Sequence, residues 1–160
     1  MSNPYREVYD AIMKIMKADP FIAALVSFVP IEGVNMQGVA RRELENPETL
    51  RIALVPLGGS LENISSSSSR ATEQYALRST SGLMSLEKVL DLKWYLLKAF
   101  WNNRDLNLDY VENAEVVNVS DESIVGTSSA DSGEGPSVVW NVSLVIKVSF
   151  ILNRTILPMA

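Results

Sequence analysis

From Val138 to Leu152 the chain reads VVWNVSLVIKVSFIL and alternates with a period of two. Val138, Trp140, Val142, Leu144, Ile146, Val148, Phe150 and Leu152 fall in one register. Val139, Asn141, Ser143, Val145, Lys147, Ser149 and Ile151 fall in the other, wetter one. Such alternation, rich in β-branched and aromatic residues, predicts a long strand with one face on a core. Burying the eight apolar side chains of the first register is worth on the order of 10–20 kcal/mol gross. Other elements must therefore cover that face.

Two stretches carry helical spacing strong enough to supply the cover. Asn3 and Pro4 form an N-cap and a proline at the first helical position, and Tyr5, Val8, Ile12, Ile15 and Met16 then recur on one side down to about Ala18. Asp19–Pro20 repeats the start signal, and Phe21, Ile22, Leu25, Val26 and Phe28 predict a short buried helix that stops before Pro30. Ser81–Gly82 breaks the chain, and Ser85 caps the second long helix, Leu86 to Trp101. Leu86, Val89, Leu90, Leu92, Leu96, Leu97, Phe100 and Trp101 occupy more than half of its circumference, which predicts a helix lying across a sheet. Apolar surface left over on it would need a partner subunit.

Shorter extended segments complete the pattern. Leu50 to Leu57, LRIALVPL, is apolar on both faces apart from Arg51 and reads as a covered strand. Ala71 to Thr80 and Asn113 to Ser120 read as two more strands, the latter setting Ala114 and Val116 against Glu115, Val117 and Val119. Residues 31–50 read as an irregular connection with a turn of helix around Arg41 to Leu44. Gly58–Arg70, with five consecutive serines, and Asp121–Ser137, small, polar and acidic, read as mobile loops over about 58–70 and 121–137. The expectation is a single α+β domain over 1–160: a mainly antiparallel sheet of about four strands in two hairpins, covered by a central helix and an N-terminal helix.

Composition changes this picture mostly by exclusion. The chain of 160 residues has no cysteine and no histidine. It therefore lacks disulfides, thiolate nucleophiles, the commonest general base and the commonest transition-metal ligand. With 14 basic and 19 acidic residues the formal charge is −5, and the longest basic run is Arg41–Arg42. Sequence-independent nucleic-acid binding is disfavoured by that balance. The charged first turns exclude a signal peptide, and Phe21 to Val29 is too short to span a bilayer. A soluble protein made in a reducing cytoplasm is expected.

The candidate chemistry is thin. Asp105, Asn107 and Asp109 open like a calcium loop, but Tyr110 stands where the loop needs glycine and Val116 where it needs a bidentate glutamate, so a turn at a helix exit is favoured. Leu57–Gly58–Gly59–Ser60 lacks the lysine and hydroxyl of a phosphate loop. Asp121, Glu122, Asp131 and Glu134 sit in a loop that offers neither burial nor a rigid scaffold, and the serines Ser65 to Ser69 have no histidine to activate them. The Asn-x-Ser/Thr matches at Asn63, Asn118, Asn141 and Asn153 are common by chance. Trp94, Trp101 and Trp140 read as core or subunit-interface residues rather than stacking platforms for bases. No cofactor and no catalytic residue is expected.

The N-terminal amphipathic helix, the strand pair LRIALVPL and ATEQYALRST, and the helix SLEKVLDLKWYLLKAF followed by a strand pair ending in WNVSLVIKVSFIL together resemble the tail terminator (tail completion) proteins of tailed bacteriophages, the group that includes the minor tail protein U of phage lambda. The resemblance covers most of residues 4 to 152 and rests on element order and hydrophobic pattern. It implies a structural virion protein, assembled in the host cytoplasm, that forms a hexameric ring at the head-proximal end of the tail tube. That ring would stop tube polymerisation, join the tail to the neck and, in contractile tails, contact the sheath. Its partners would be further copies of itself, the tail tube protein and a neck or connector protein, with DNA passing through the lumen unbound. Six chains of −5 each make −30, which suits passage of DNA without adhesion. Ser65, Ser67 and Arg70 in the first loop, Asp121, Glu122, Asp131 and Glu134 in the second, and Arg41 and Arg42 are the candidate subunit or inter-ring contacts. A head-to-tail connector or stopper ring is the alternative within the same setting. A small α+β hydrolase or ligand-binding domain is the alternative outside it.

Overall fold

The computed structural model describes residues 3–31, 51–80, 86–126 and 137–153. The elements run α1 (Pro4–Ala18), α2 (Pro20–Leu25), β1 (Ser27–Phe28), β2 (Arg51–Asn63), β3 (Ser68–Thr80), α3 (Leu86–Trp101), β4 (Val111–Gly126) and β5 (Ser137–Asn153). They form an α+β fold whose five strands lie in the order β1-β2-β3-β5-β4. All pairs are antiparallel except β1 with β2. Since β5 is antiparallel to both of its neighbours, β3 and β4 run parallel, and α3 is the crossover that joins them.

Both helix starts follow from capping chemistry. The Asn3 side chain accepts from the backbone N–H groups of Tyr5 and Arg6, and the Asp19 carboxylate accepts from those of Phe21 and Ile22, each with a proline just inside. Helix α1 buries Val8, Tyr9, Ile12, Met13, Ile15 and Met16, while Tyr5 stays partly exposed. Helix α3 buries Val89, Leu92, Leu96, Ala99 and Phe100. Opposite them the organising strand buries Val142, Leu144, Ile146, Val148 and Phe150 on one face, in the expected register. The ring of Phe150 takes the edges of Tyr5, at 5.4 Å, and Tyr110, at 6.3 Å, and Tyr9 meets Tyr75 edge-on at 6.5 Å.

Several boundaries differ from the expectation. The segment 58–70 is mostly strand: β2 runs to Asn63, β3 begins at Ser68, and only residues 64–67 connect them. Backbone pairing with β3, and of β3 with the far end of β5, extends the sheet where the side chains show no hydrophobic period. Likewise β4 continues to Gly126, so Asp121 and Glu122 lie in a strand rather than a loop, their backbones opposite Val142 and Asn141. The short helix ends at Leu25, not near Pro30. Ser27 and Phe28 are extended beside Arg51 and Ile52, and Phe21 is 60 % exposed instead of buried. In β4 a bulge between Val116 and Asn118 adds one residue, leaving Val117 exposed and turning Val119 onto the core beside Val116. The helical turn around Arg41 to Leu44 and the cap at Ser85 lie outside the described residues.

Candidate interaction surface

The register of the sheet places the two hairpin connections at opposite ends of the molecule. Ser68 of β3 pairs with Asn153 at the end of β5, whereas the β4–β5 connection follows Gly126, which pairs with Ser137 at its start. Strand β5 has 17 residues. At roughly 3.3 Å per residue the two ends are on the order of 50 Å apart.

At the first end, β2 and β3 form an arm. Serine chemistry closes its tip. The Ser65 hydroxyl accepts from the backbone N–H of Ser67 (3.3 Å) and of Ser68 (3.1 Å) and bonds the Ser68 hydroxyl at 2.9 Å. The Ser69 hydroxyl donates to the Asn63 side-chain oxygen at 3.0 Å. Ser65 and Ser67 thus share a turn held by its own side chains. Arg70 sits on the face of the sheet away from the helices and reaches Glu62 at 3.3 Å and Glu112, on the β4 bulge, at 2.5 Å. The hydrogen bond from Arg70 holds the Glu112 carboxyl below the usual range, and Glu112 in turn holds the guanidinium more firmly protonated.

The helix-side face of the arm is apolar with one acid. Successive cross-strand rows read Gly59–Glu73–Val148, Leu61–Ala71–Phe150 and Asn63–Ser69–Leu152. Leu57, Leu61 and Ile64 are largely exposed. Glu73 is partly buried, which raises its carboxyl pKa, and it makes no ion pair among the described residues. Its side chain lies over Gly59: a Cβ at position 59 would stand 2.8 Å from Glu73 Cδ and 1.9 Å from the Thr72 carbonyl oxygen. Glycine is what lets the β2 and β3 backbones approach this closely here.

A second apolar surface lies on α3. Leu90, Trp94 and Trp101 recur at helical spacing on the side away from the buried line, Leu97 beside them being half-buried against the core, and Trp94 and Trp101 are 49 % and 51 % exposed. These two tryptophans are therefore not core residues. Their rings meet edge to face at 5.9 Å, and the exposed Lys98 holds its ammonium 5.8 Å from the Trp94 ring. Nearby, Phe21 stacks on Tyr95 at 5.1 Å. Trp140 contributes its backbone to the β4–β5 ladder opposite Ser123, and its side chain lies outside the described residues.

Of the residues singled out from the sequence, Ser65, Ser67 and Arg70 share the arm end, and Asp121 and Glu122 lie toward the other end of the sheet. Asp131, Glu134, Arg41 and Arg42 lie outside the described residues. Sequence reasoning missed Glu73 and Gly59, which become neighbours only through the β2–β3 register.

The remaining polar constellations are structural. The Asp105 carboxylate accepts from the backbone N–H of Asn107 at 2.9 Å, and Leu106 and Asn107 take left-handed conformations. The Asp-x-Asn-x-Asp run is a turn that folds Leu106 into the core. No group of three or more acidic residues is placed to hold a metal ion among the described residues. The Tyr110 hydroxyl donates to Glu7, tying that turn to α1, and burial together with Glu7 raises its pKa. An open groove of about 380 Å³ between α1 and this turn is lined by Glu7, Asp10, Lys14, Ile15, Leu106 and Leu108 among others. No helix among the described residues is long and apolar enough to cross a membrane. No family model matches this chain, and no curated protein matches it.

Proposed function

We propose that this chain is a non-enzymatic structural subunit of a phage tail, a terminator that forms a ring at the head-proximal end of the tail tube. The observation that carries the reading is α3, apolar on two faces, of which one is buried and the other, at Leu90, Trp94 and Trp101, stays exposed among the described residues. Contiguous exposed tryptophan and leucine on a monomer mark a protein contact. The separation of the two hairpin ends supports the axial part of the role, since a ring between tube and neck must present one end to each. Ser65, Ser67 and Arg70 serve one of those contacts. The strand end beyond Asp121 and Glu122 serves the other.

The test has two arms. Light scattering of the purified chain should give a species near six times 17.7 kDa, with a central hole in negative stain. Added to polymerising tail tubes, the protein should cap them, and tubes assembled without it should overgrow. A ring that leaves tube length unchanged and binds the portal side would identify a connector instead. A monomer that never binds tubes would refute both.

A further inference from the structure

Glu73 has two tyrosine neighbours, and all three polar groups lack a bonded partner. On β3, Glu73 and Tyr75 are two residues apart and so share the helix-side face, roughly 7 Å from each other along the strand. Helix α1 crosses over them. The Tyr5 ring stands edge-on to Phe150 at 5.4 Å and, one helical turn on, the Tyr9 ring stands edge-on to Tyr75 at 6.5 Å. Tyr75 is 3 % exposed, and its hydroxyl, bonded by no described group, is not sealed from solvent. The Tyr5 hydroxyl has no hydrogen bond among the described residues, and Glu73 has no ion pair among them. The three groups feel one another. Burial and then the Glu73 carboxylate raise the pKa of Tyr5, while burial, Glu73 and Tyr5 raise that of Tyr75. From this juxtaposition we infer that Tyr5, Glu73 and Tyr75 form a site for an alkylammonium group, and that its ligand is the end of a lysine side chain presented by a partner protein. Such a site is independent of ring formation.

The donor and acceptor inventory selects the ligand. One negative charge and two neutral hydroxyl acceptors match one positive charge that carries three donors, which is the ammonium of a lysine. A guanidinium would spend its planar fork on the carboxylate alone and leave the hydroxyls unserved. A calcium or magnesium ion asks for more anionic oxygen than one carboxylate supplies, and no three acids gather among the described residues. The aliphatic stem has a place to lie. An open groove of about 380 Å³ between α1 and β2 has Tyr5 and Tyr9 on one wall and Pro56, cross-strand from Tyr75, on the other. Arg6 also borders this groove, and its charge is met by Asp10 at 3.3 Å. The β2 edge favours a polypeptide over a free amine as the source. Among the described residues β1 pairs only with Arg51 and Ile52, so beyond them a chain laid beside β2 finds unpaired backbone as well as the carboxylate. A carboxylate kept half-buried without a cation costs the free chain stability, as expected of a group held ready for a ligand.

Two probes test the site on the full, isotope-labelled chain: n-butylammonium chloride, and a blocked pentapeptide with lysine at its centre and leucine on either side. The readout is the backbone amide shifts of Gly59, Glu73 and Tyr75 by nuclear magnetic resonance, against sodium chloride at equal ionic strength. Both probes should move these amides to saturation, the peptide binding several-fold more tightly, and the same peptide with norleucine in place of lysine should not bind. Glu73→Gln, which keeps the shape, should weaken both probes by about tenfold or more. Tyr75→Phe should weaken them several-fold. Glu62→Gln, at an acid on the other face of the arm, should change neither. Shifts no larger than those from sodium chloride, or binding that survives Glu73→Gln, would overturn the site. Butylammonium binding as tightly as the peptide would overturn the partner protein as the source of the ammonium.

Discussion

Tyr9 performs a task that its ring alone cannot. Val29 donates its N–H to the Ile52 carbonyl at 2.9 Å, the last bond that β1 gives to β2. On a strand, carbonyls two residues apart point to the same edge, so the Leu54 carbonyl faces the edge that β1 no longer covers. The Tyr9 hydroxyl donates to it at 2.8 Å. Tyr9 is 6 % exposed and Leu54 0 %, so water does not take over when the hydroxyl is removed. Tyr9→Phe keeps the ring and its edge contact with Tyr75 but leaves a buried acceptor unsatisfied, which costs about 1–3 kcal/mol. Taking about 2 kcal/mol, and a urea slope of about 2 kcal/mol/M for a small protein, the midpoint should fall by roughly 1 M with the slope unchanged. The melting temperature should fall by roughly 4–8 °C. Unfolding is followed by far-ultraviolet circular dichroism at one fixed, low protein concentration, because assembly stabilises by mass action. Tyr5→Phe, at a partly exposed ring with no such bond among the described residues, is the control and should stay within about 0.5 kcal/mol. A Tyr9→Phe midpoint indistinguishable from that control would refute the assignment of the edge carbonyl to Tyr9.

Three further outcomes are expected. Gly59→Ala forces a Cβ to within 1.9 Å of the Thr72 carbonyl oxygen, a backbone atom that cannot rotate away; despite the entropy gained, it should cost about 1–3 kcal/mol in urea unfolding, and a neutral result would contradict the close approach of β2 and β3. The Glu73 carboxyl pKa is raised by burial, so its contribution to stability is fully present below the ordinary carboxylate range and is lost as pH rises through the raised value; Glu73→Gln should therefore have the higher urea midpoint at pH 7 and lose that advantage near pH 3.5, and an advantage that did not change with pH would point to packing instead. Trp94→Ser removes about 100 Å² of exposed apolar surface, worth up to about 2.5 kcal/mol if assembly covers it, so sedimentation should show association weakened by as much as about seventy-fold; unchanged association would mean that no partner covers the stripe.

What could be read from the chain and what could not divide along one physical line. Val142 to Phe150, the inner line of α3 and the caps at Asn3 and Asp19 announce themselves because each places side chains of one kind at the period of its element. The arm does not. Ser60, Glu62, Ser68 and Thr72 are strand residues because β5 is long enough to continue the ladder beneath them, and backbone hydrogen bonds leave no mark on side-chain periodicity. Val119 turns onto the core at a bulge that alternation alone cannot foresee, while Val117 stays exposed. At two residues β1 has no period at all, and it forms because its neighbour offers an edge. The contact of Glu73 with Gly59 exists only in the paired register.

The same helix shows why folding and the proposed assembly are separable in this chain. Val89, Leu92, Leu96, Ala99 and Phe100 face the sheet. Burying such a line is worth on the order of 10 kcal/mol gross, enough to dock a crossover helix. None of that depends on Leu90, Trp94 or Trp101, which could be serine or lysine without opening a cavity. An exposed aromatic stripe makes no contribution of its own to the folded subunit and lowers its solubility. The arm repeats the arrangement: its ladder forms with or without Leu61, yet Leu61 stands exposed beside an acid that no lysine or arginine among the described residues neutralises. Substitutions along the inner line should therefore unfold the subunit at any concentration. Substitutions along the outer stripe or the arm should leave it folded and disperse it.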